Sequence, residues 1–280
     1  MQARDWDEPD RAKVLRPQNA VIETITPMRA AEYLQRNTCN RPLSPKRVLF
    51  YANEMRAGKW MLNGETMQFD IEGNLLNGQH RLSACIKAGV PFECYVVRGL
   101  PRAVMPTLDT GKSRSGSDNI GMVGGKNCKV VSAAIILILR AETNDLLSGN
   151  TSPPHADLVE FYLKNEDALQ RSVKYSQAAR VILPSSIACA FHYLFAKLDE
   201  EMADRFMEDV SVGANLARND AVFLLREAMI QNKASKAKLP PVEIAARVVR
   251  AWGYRRQGQP AKYLRGTYGT GSERIFPDII

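Results

Sequence analysis

The sequence predicts an α+β protein, in which a small mixed-sheet domain precedes an all-helical domain. Up to residue 118, short strand-like and helix-like segments alternate between glycine-containing turns. Beyond it, long amphipathic stretches follow at helical spacing, and Ser152-Pro153-Pro154 and Leu239-Pro240-Pro241 separate some of them. We therefore divide the chain into a flexible polar arm (1–20), a mixed-sheet domain (21–118) and a helical domain (119–280) with a basic C-terminal region.

Local signals place the elements of the mixed domain. Thr26-Pro27 and Ser44-Pro45 each join a capping side chain to a proline at the first helical position, so each predicts a helix start. The second of these helices is expected to stop at Gly58. Strands are predicted over Thr66–Ile71, Asn74–Leu76 and Phe92–Arg98, with a helix over Leu82–Ala88.

Seven helices are predicted for the helical domain. They cover Lys126–Leu147, His155–Asn165, Asp167–Val181, Ser185–Leu198, Glu200–Val210, Asp220–Ile230 and Val242–Arg256. In the last of them Trp252 is expected to pack inward.

The composition narrows the class of protein. Charged residues make up 24% and hydrophobic residues 45%, as in soluble globular proteins. The net charge of +8 favours anionic partners such as nucleic acid or nucleotides. The five cysteines form no CxxC pair, which argues against a zinc ribbon and favours reduced core cysteines in a cytoplasm. The longest apolar run, Val130–Leu139, is too short to span a bilayer, and 1–10 has no signal-peptide core, so no membrane partner is expected.

The turn Asn77-Gly78-Gln79-His80-Arg81 is the strongest candidate site. Gly78 lets a ligand approach the backbone, and Arg81 could grip phosphate oxygens bidentately at a helix start. Gln79 could orient a water or hydroxyl, His80 could exchange a proton, and Asn77 could cap the turn or meet a ligand. The alternative is a purely structural turn, because Asn-Gly is a common hairpin signal.

A second polar loop follows at residues 108–114. Asp109 is the candidate Mg²⁺ ligand and a candidate catalytic residue, beside Gln79 and His80. Four neighbours would supply donors for an anion: Thr110, Gly111, Lys112 and Arg114. It is not a P-loop, because no glycine stands five residues before Gly111. The alternative is a basic surface turn.

Other polar residues near the strands are candidates for the same cleft. Asn63 and Glu65 flank Gly64 and are additional cleft candidates, whereas Asp70 and Glu72 are expected to be exposed turn residues. No Ser-His-Asp arrangement is predicted, and His192 is interpreted as a packed helix residue.

The segment 226–265 holds ten Lys/Arg against two acidic residues. It is either a solvated face with a flexible connector or a surface that contacts the phosphate backbone of DNA. The candidate DNA-binding residues are Lys233, Lys236, Lys238, Arg255 and Arg256.

One stretch of the chain resembles the ParB/sulfiredoxin-like superfamily, in its phage and bacterial (D/N)GQHR form. This stretch consists of Asn63-Gly64-Glu65, a strand, and Asn77-Gly78-Gln79-His80-Arg81 followed by Ala84 and Gly89. In ParB proteins a helix, a glycine and a strand precede a Gly-x-Arg-Arg-x-x-Ala box. The resemblance covers about Thr24 to Arg114 and only loosely the helical part. Gln79 stands at the sulfiredoxin cysteine position, which disfavours thiol chemistry. Asn77 replaces the usual aspartate, which favours binding over hydrolysis.

The resemblance implies a ParB/sulfiredoxin-like mixed-sheet domain that binds a nucleoside triphosphate with Mg²⁺ and acts on or with DNA in the cytoplasm of a bacterial host. Three reaction classes stay open: nucleotide hydrolysis, phosphate transfer and nuclease activity. Two alternatives remain beside it. One is a non-catalytic DNA-binding module that uses the basic C-terminal region, and the other is an enzyme that modifies a nucleobase or small metabolite. The sequence leaves a homo-oligomer open.

Overall fold

A four-stranded mixed sheet forms the centre of the N-terminal part of the chain in this computed structural model, which describes residues 18–38, 40–108, 114–147, 153–267, 269 and 275–280. The strands are β1 (Gln18–Ile25), β2 (Thr66–Asp70), β3 (Leu75–Asn77) and β4 (Phe92–Leu100), in the order β1-β4-β2-β3. The central pair, β2 and β4, is parallel, and the other two pairs are antiparallel.

Three α-helices accompany the sheet: α1 (Pro27–Leu34), α2 (Pro45–Arg56) and α3 (Gln79–Ala88). A 3₁₀-helix covers Arg102–Thr107. Both predicted starts are confirmed, because the Thr26 side chain accepts from Arg29 N and the Ser44 side chain from Arg47 N. Helix α3 packs on both α1 and α2. Their apolar faces and the sheet enclose one core, with Met67, Leu82 and Val96 fully buried.

The sheet differs from the sequence prediction in several places. Strand β1 is missing from the prediction, and its first residues fall in the predicted arm, whereas 1–17 lies outside the described residues. Strand β2 ends at Asp70 instead of Ile71, and β3 covers Leu75–Asn77 instead of Asn74–Leu76. Strand β4 continues to Leu100. Helix α3 begins at Gln79 instead of Leu82, because the left-handed Gly78 already serves as its N-cap. The polar residues of the turn therefore occupy the first helical turn.

By contact density the chain divides into Met1–Lys112 and Ser113–Ile280, and the second unit is helical. Its described helices are α4 (Gly116–Met122), α5 (Cys128–Glu142), α6 (His155–Lys164), α7 (Glu166–Ala179), α8 (Ser185–Ala196), α9 (Glu200–Val212), α10 (Ala221–Ala234) and α11 (Pro241–Arg256). All seven predicted helices are confirmed, with ends shifted by a few residues. Helix α4 was missed, although Ser115 and Asp118 form a capping box at its start.

Helix α8 is the centre of the helical unit. Nine of its twelve residues are buried, as expected for a helix that is apolar on all sides. Trp252 is fully buried, as predicted, and stacks on Phe195 with ring centroids 4.3 Å apart. The α+β class is confirmed. Within the described part of the chain, no helix is both long enough and apolar enough to cross a membrane.

Candidate functional site

The start of α3 has an unusual backbone. Gly78 has φ +120°, and a Cβ at this position would lie 2.9 Å from Met67 Cγ, so both conformation and space require glycine. The amides of Arg81 and Leu82 donate to Gly78 O at 3.0 and 3.1 Å, which fixes the helix start. No side chain caps this end. The main-chain N–H groups of Gln79 and His80 therefore form an uncapped first turn.

Gln79 anchors the loop that joins α1 to α2. Its Oε1 accepts from Asn37 Nδ2 at 3.0 Å, and its Nε2 donates to Arg41 O at 2.7 Å. Asn40 adds a bond from its Nδ2 to Leu75 O at 2.8 Å. Gln79 is 5% exposed, so its amide serves this loop and not solvent.

His80 holds the end of the same loop. Its Nε2 accepts a hydrogen bond from Ser44 N at 3.0 Å, so this nitrogen carries no proton. Burial lowers the pKa of His80, and the positive charges of Arg41 and Arg47 lower it further. The imidazole is therefore neutral at neutral pH and ties the N-cap of α2 to α3.

Arg81 bonds inward. Its guanidinium donates to Glu65 O at 3.0 Å and to Thr66 O at 2.5 Å, and it lies 3.5 Å from Cys94 Sγ. The residue is 8% exposed. The sequence suggested that Arg81 binds phosphate. In the structure its guanidinium N–H groups instead donate to main-chain carbonyl groups at the start of β2. The predicted cleft residues Asn63 and Glu65 have exposed side chains, and Glu65 joins the site only through its carbonyl.

A basic segment accompanies the start of α3. Between Tyr33 and Asn53 the chain has no Asp or Glu, and its four cations are Arg36, Arg41, Lys46 and Arg47. All four are exposed. Because Arg41 and Arg47 both act on the pKa of His80, their positive field reaches the first turn of α3. Gln79 and His80 thus hold a loop that carries positive charge at the uncapped start of α3.

Most of the second predicted loop lies outside the described residues. The residues outside the described part include the predicted Mg²⁺ ligand, Asp109, and the predicted phosphate contacts Thr110, Gly111 and Lys112. Arg114 is described and exposed, and it belongs to the second unit. In the described ranges, no cluster of three His, Cys, Asp or Glu side chains could hold a metal ion.

Two carboxylates neutralise Arg255, one of the candidate DNA-binding residues. Its Nη2 lies 2.7 Å from Asp209 Oδ2 and 3.4 Å from Asp220 Oδ2. Arg256 lies 5.8 Å from the centre of the Trp252 ring, in cation–π range. These two arginines therefore have structural partners within the helical unit.

The three candidate lysines lie at the C-terminal end of α10 and just beyond it, and all three are exposed. Lys233 donates to Val181 O, and Lys238 donates to Asn232 O at 3.1 Å. Lys236 is exposed. Within this group, Lys236 is the position best suited to meet a partner.

Sequence reasoning missed a polar network in the core of the helical unit. His192 is fully buried, as predicted, but its Nδ1 lies 2.9 Å from Ser172 Oγ and its Nε2 lies 2.9 Å from Asp204 Oδ1. The Tyr175 ring stacks on it at 4.4 Å. Ser172 is 1% exposed and donates to Ala168 O, so this serine-histidine-aspartate arrangement has no access to substrate. It is a structural network.

Asp70 corrects another prediction. It was expected in an exposed turn, but it is 2% exposed. Its carboxylate accepts from the main-chain N–H groups of Glu72 and Asn74 at 2.9 and 2.7 Å, and from Asn74 Nδ2 at 3.0 Å. The Asp70 carboxylate therefore stabilises the β2–β3 turn.

Comparison with known proteins gives no further assignment: no protein-family model, curated protein or solved structure matches the chain. The function of the chain is therefore inferred from its own residues and their geometry.

Acidification should release the loop that His80 holds. Since folding lowers the pKa of His80, the unfolded state binds more protons, and stability is lost as pH falls below about 6.5. Protonated Nε2 can no longer accept from Ser44 N. Between about pH 7.5 and about pH 5.5, the protection factor of the Ser44 amide in NMR hydrogen exchange should fall, by up to about tenfold. His155→Gln, at an exposed histidine, should leave this loss unchanged, whereas a constant protection factor would refute the role of His80.

Proposed function

We propose that the N-terminal unit is a nucleotide-binding domain of the ParB/sulfiredoxin-like type, and that it holds the phosphate groups at the start of α3. The observation that carries the proposal is the uncapped first turn beneath a loop rich in positive charge. Main-chain N–H groups and the positive end of the helix dipole attract phosphate at such a position.

The neighbouring cations support a phosphate ligand over a neutral one. Arg41, Lys46 and Arg47 are exposed, and no carboxylate of the same segment competes for them. Arg47 Nη1 donates to Tyr51 OH at 3.2 Å, which leaves most of its N–H groups available. Two arginines beside a helix start suit the charge of a di- or triphosphate.

Access to the site requires an exchange of hydrogen bonds. Gly78, Gln79 and His80 are buried, and the loop at 37–44 lies against them through the Gln79 and His80 bonds. In the proposal the loop moves away, and a phosphate accepts from Gln79 Nε2 and from the main-chain N–H groups of Gln79 and His80. Arg41 moves with the loop onto the ligand. Gln79 and His80 then stand at the phosphates, as their predicted roles require.

The remaining parts of the proposal come from the sequence. Asp109 is assigned to Mg²⁺, and Thr110, Gly111 and Lys112 to phosphate contacts. Asn77 cannot act as a carboxylate base, so we place binding before hydrolysis. Action on or beside DNA is proposed from the net charge of +8 and not from Arg255, whose charge is neutralised.

Calorimetric titration with nucleoside triphosphates in the presence of Mg²⁺ tests the proposal. Loss of both Arg41 and Arg47 to alanine should weaken binding at least tenfold, because two charged hydrogen bonds contribute about 3 kcal/mol. Lys87→Ala, at the opposite end of α3, removes one exposed cation and should leave the affinity unchanged. Equal affinity of the double variant and the wild type would contradict the proposal, as would the absence of any binding heat.

A further inference from the structure

A cleft of about 530 Å³ opens at the carboxyl ends of the parallel strands β2 and β4. Asp70 lines it, whereas the α3 start lies at the other end of β2, where Arg81 bonds Thr66. The volume is in the range of small-molecule sites, and crevices at the carboxyl ends of parallel strands are common ligand positions. The cleft is therefore distinct from the phosphate site proposed at α3.

Two carboxylates at or beside this cleft, Asp70 and the partly exposed Glu23, already have hydrogen-bond partners. Glu23 receives Arg98 Nη1 at 2.5 Å and the Tyr33 hydroxyl at 2.6 Å. These bonds outweigh burial and lower the pKa of Glu23. Asp70 accepts three hydrogen bonds from its own turn, and its pKa is likewise lowered, although burial acts in the other direction. Both groups are ionised, and their main acceptor positions are in use.

Donors remain available on the open side. The Arg98 side chain is 41% exposed, and its bonds to Glu23 and Tyr33 fix its plane while other N–H groups stay unused. Arg36 is exposed just beyond the C-terminus of α1. Arg29 pairs with Glu32, but both side chains are 51% exposed, and such a surface pair is easily exchanged.

We propose that this cleft binds the oxyanion group of a small metabolite, a phosphate or a carboxylate, between Arg36 and Arg98. Three arginines line the cleft against two carboxylates, Glu32 and Asp70, and both carboxylates already have partners. This excess of donors favours an acceptor-rich ligand. Guanidinium forks match both oxyanions in a bidentate manner. Arg98 is preorganised by Glu23 and Tyr33, which limits the entropy lost on binding.

NMR titration of the full chain with inorganic phosphate, and separately with succinate, tests the proposal and distinguishes the two ligand chemistries. Saturable shifts are expected at the amides of Gly73 and Gly99 and at the Arg98 Nε–H, with one of the two anions binding more tightly. Arg36→Gln should weaken that binding at least tenfold. Lys87→Gln, which removes an exposed cation elsewhere in the same unit, should leave it unchanged.

Three results would overturn the cleft proposal: no saturation with either anion, equal binding by Arg36→Gln and wild type, or shifts confined to Gln79 and His80. The last of these would support the site at α3 instead. Arg41 and Arg47 do not line the cleft, so the double variant should bind the anion in the cleft as the wild type does. The two proposals can therefore fail independently.

Discussion

Replacing Arg81 with alanine is expected to destabilise the N-terminal unit by about 3 kcal/mol, because two partly buried carbonyl groups lose their donor. Arg81 ties the start of β2, at Glu65 and Thr66, to α3. In hydrogen-exchange mass spectrometry, the peptides of β2 and β4 should exchange about a hundredfold faster in the variant. The peptide of α8, in the other unit, is the internal reference and should keep its rate.

Two further variants sharpen this expectation. Arg81→Lys keeps the charge but lacks the planar guanidinium, so its exchange rates in β2 and β4 should lie between those of Arg81→Ala and the wild type. Lys87→Ala, on the same helix, should change exchange by less than about threefold, since exposed substitutions cost less than about 0.5 kcal/mol. Unchanged protection of β2 in Arg81→Ala would show that the hydrogen bonds from Arg81 to Glu65 O and Thr66 O do not stabilise the unit. Because this change destabilises the unit, lost nucleotide binding in Arg81→Ala alone would not locate the phosphate site.

Replacing Asp204 with alanine should destabilise the helical unit by about 3 kcal/mol, because it leaves the buried His192 and the Arg171 guanidinium without their shared acceptor. Burial raises the pKa of Asp204, but hydrogen bonds from Arg171, His192 and Tyr175 outweigh it and lower the pKa. The contribution should therefore persist from neutral pH to about pH 3.8 and be lost as the pH falls further.

Denaturant unfolding of wild type and variant, followed at neutral pH and in acid, measures this difference. Asp204→Asn keeps the shape but loses the charge, so it should recover part of the loss. Glu208→Ala removes an exposed carboxylate one turn later on α9 and should change stability by less than about 0.5 kcal/mol. A difference between Asp204→Ala and wild type that stayed constant down to about pH 2 would contradict the assigned ionisation.

Features with local causes could be predicted from the sequence. Thr26-Pro27 and Ser44-Pro45 specify their helices through a cap and a fixed φ within four residues, and both starts are confirmed. The α+β class could also be predicted, because the spacing of apolar residues that distinguishes helices from strands is visible within each short segment. The missed α4 is a partial exception, because its Ser115-Asp118 signal is also local but lies in a glycine-containing stretch.

Features that depend on distant partners could not be predicted. Asp70 belongs to an acidic turn in the sequence, but three donors from its own turn allow it to be buried. His192 meets Ser172 and Asp204 from two other helices, and no spacing along the chain reveals that meeting. Arg81 turns inward because β2 brings the Glu65 and Thr66 carbonyl groups to it.

The most direct test of the central claim is an NMR titration with a nucleoside triphosphate and Mg²⁺, read at the main-chain amides of Gln79 and His80. If phosphate binds at the uncapped start of α3, these two amides should show the largest downfield shifts in the unit and saturate together. The Asn37 and Gln79 side-chain amides should shift with them as the loop exchanges its partners. Saturable binding that leaves both main-chain amides unmoved would place the nucleotide elsewhere and contradict the phosphate site at α3.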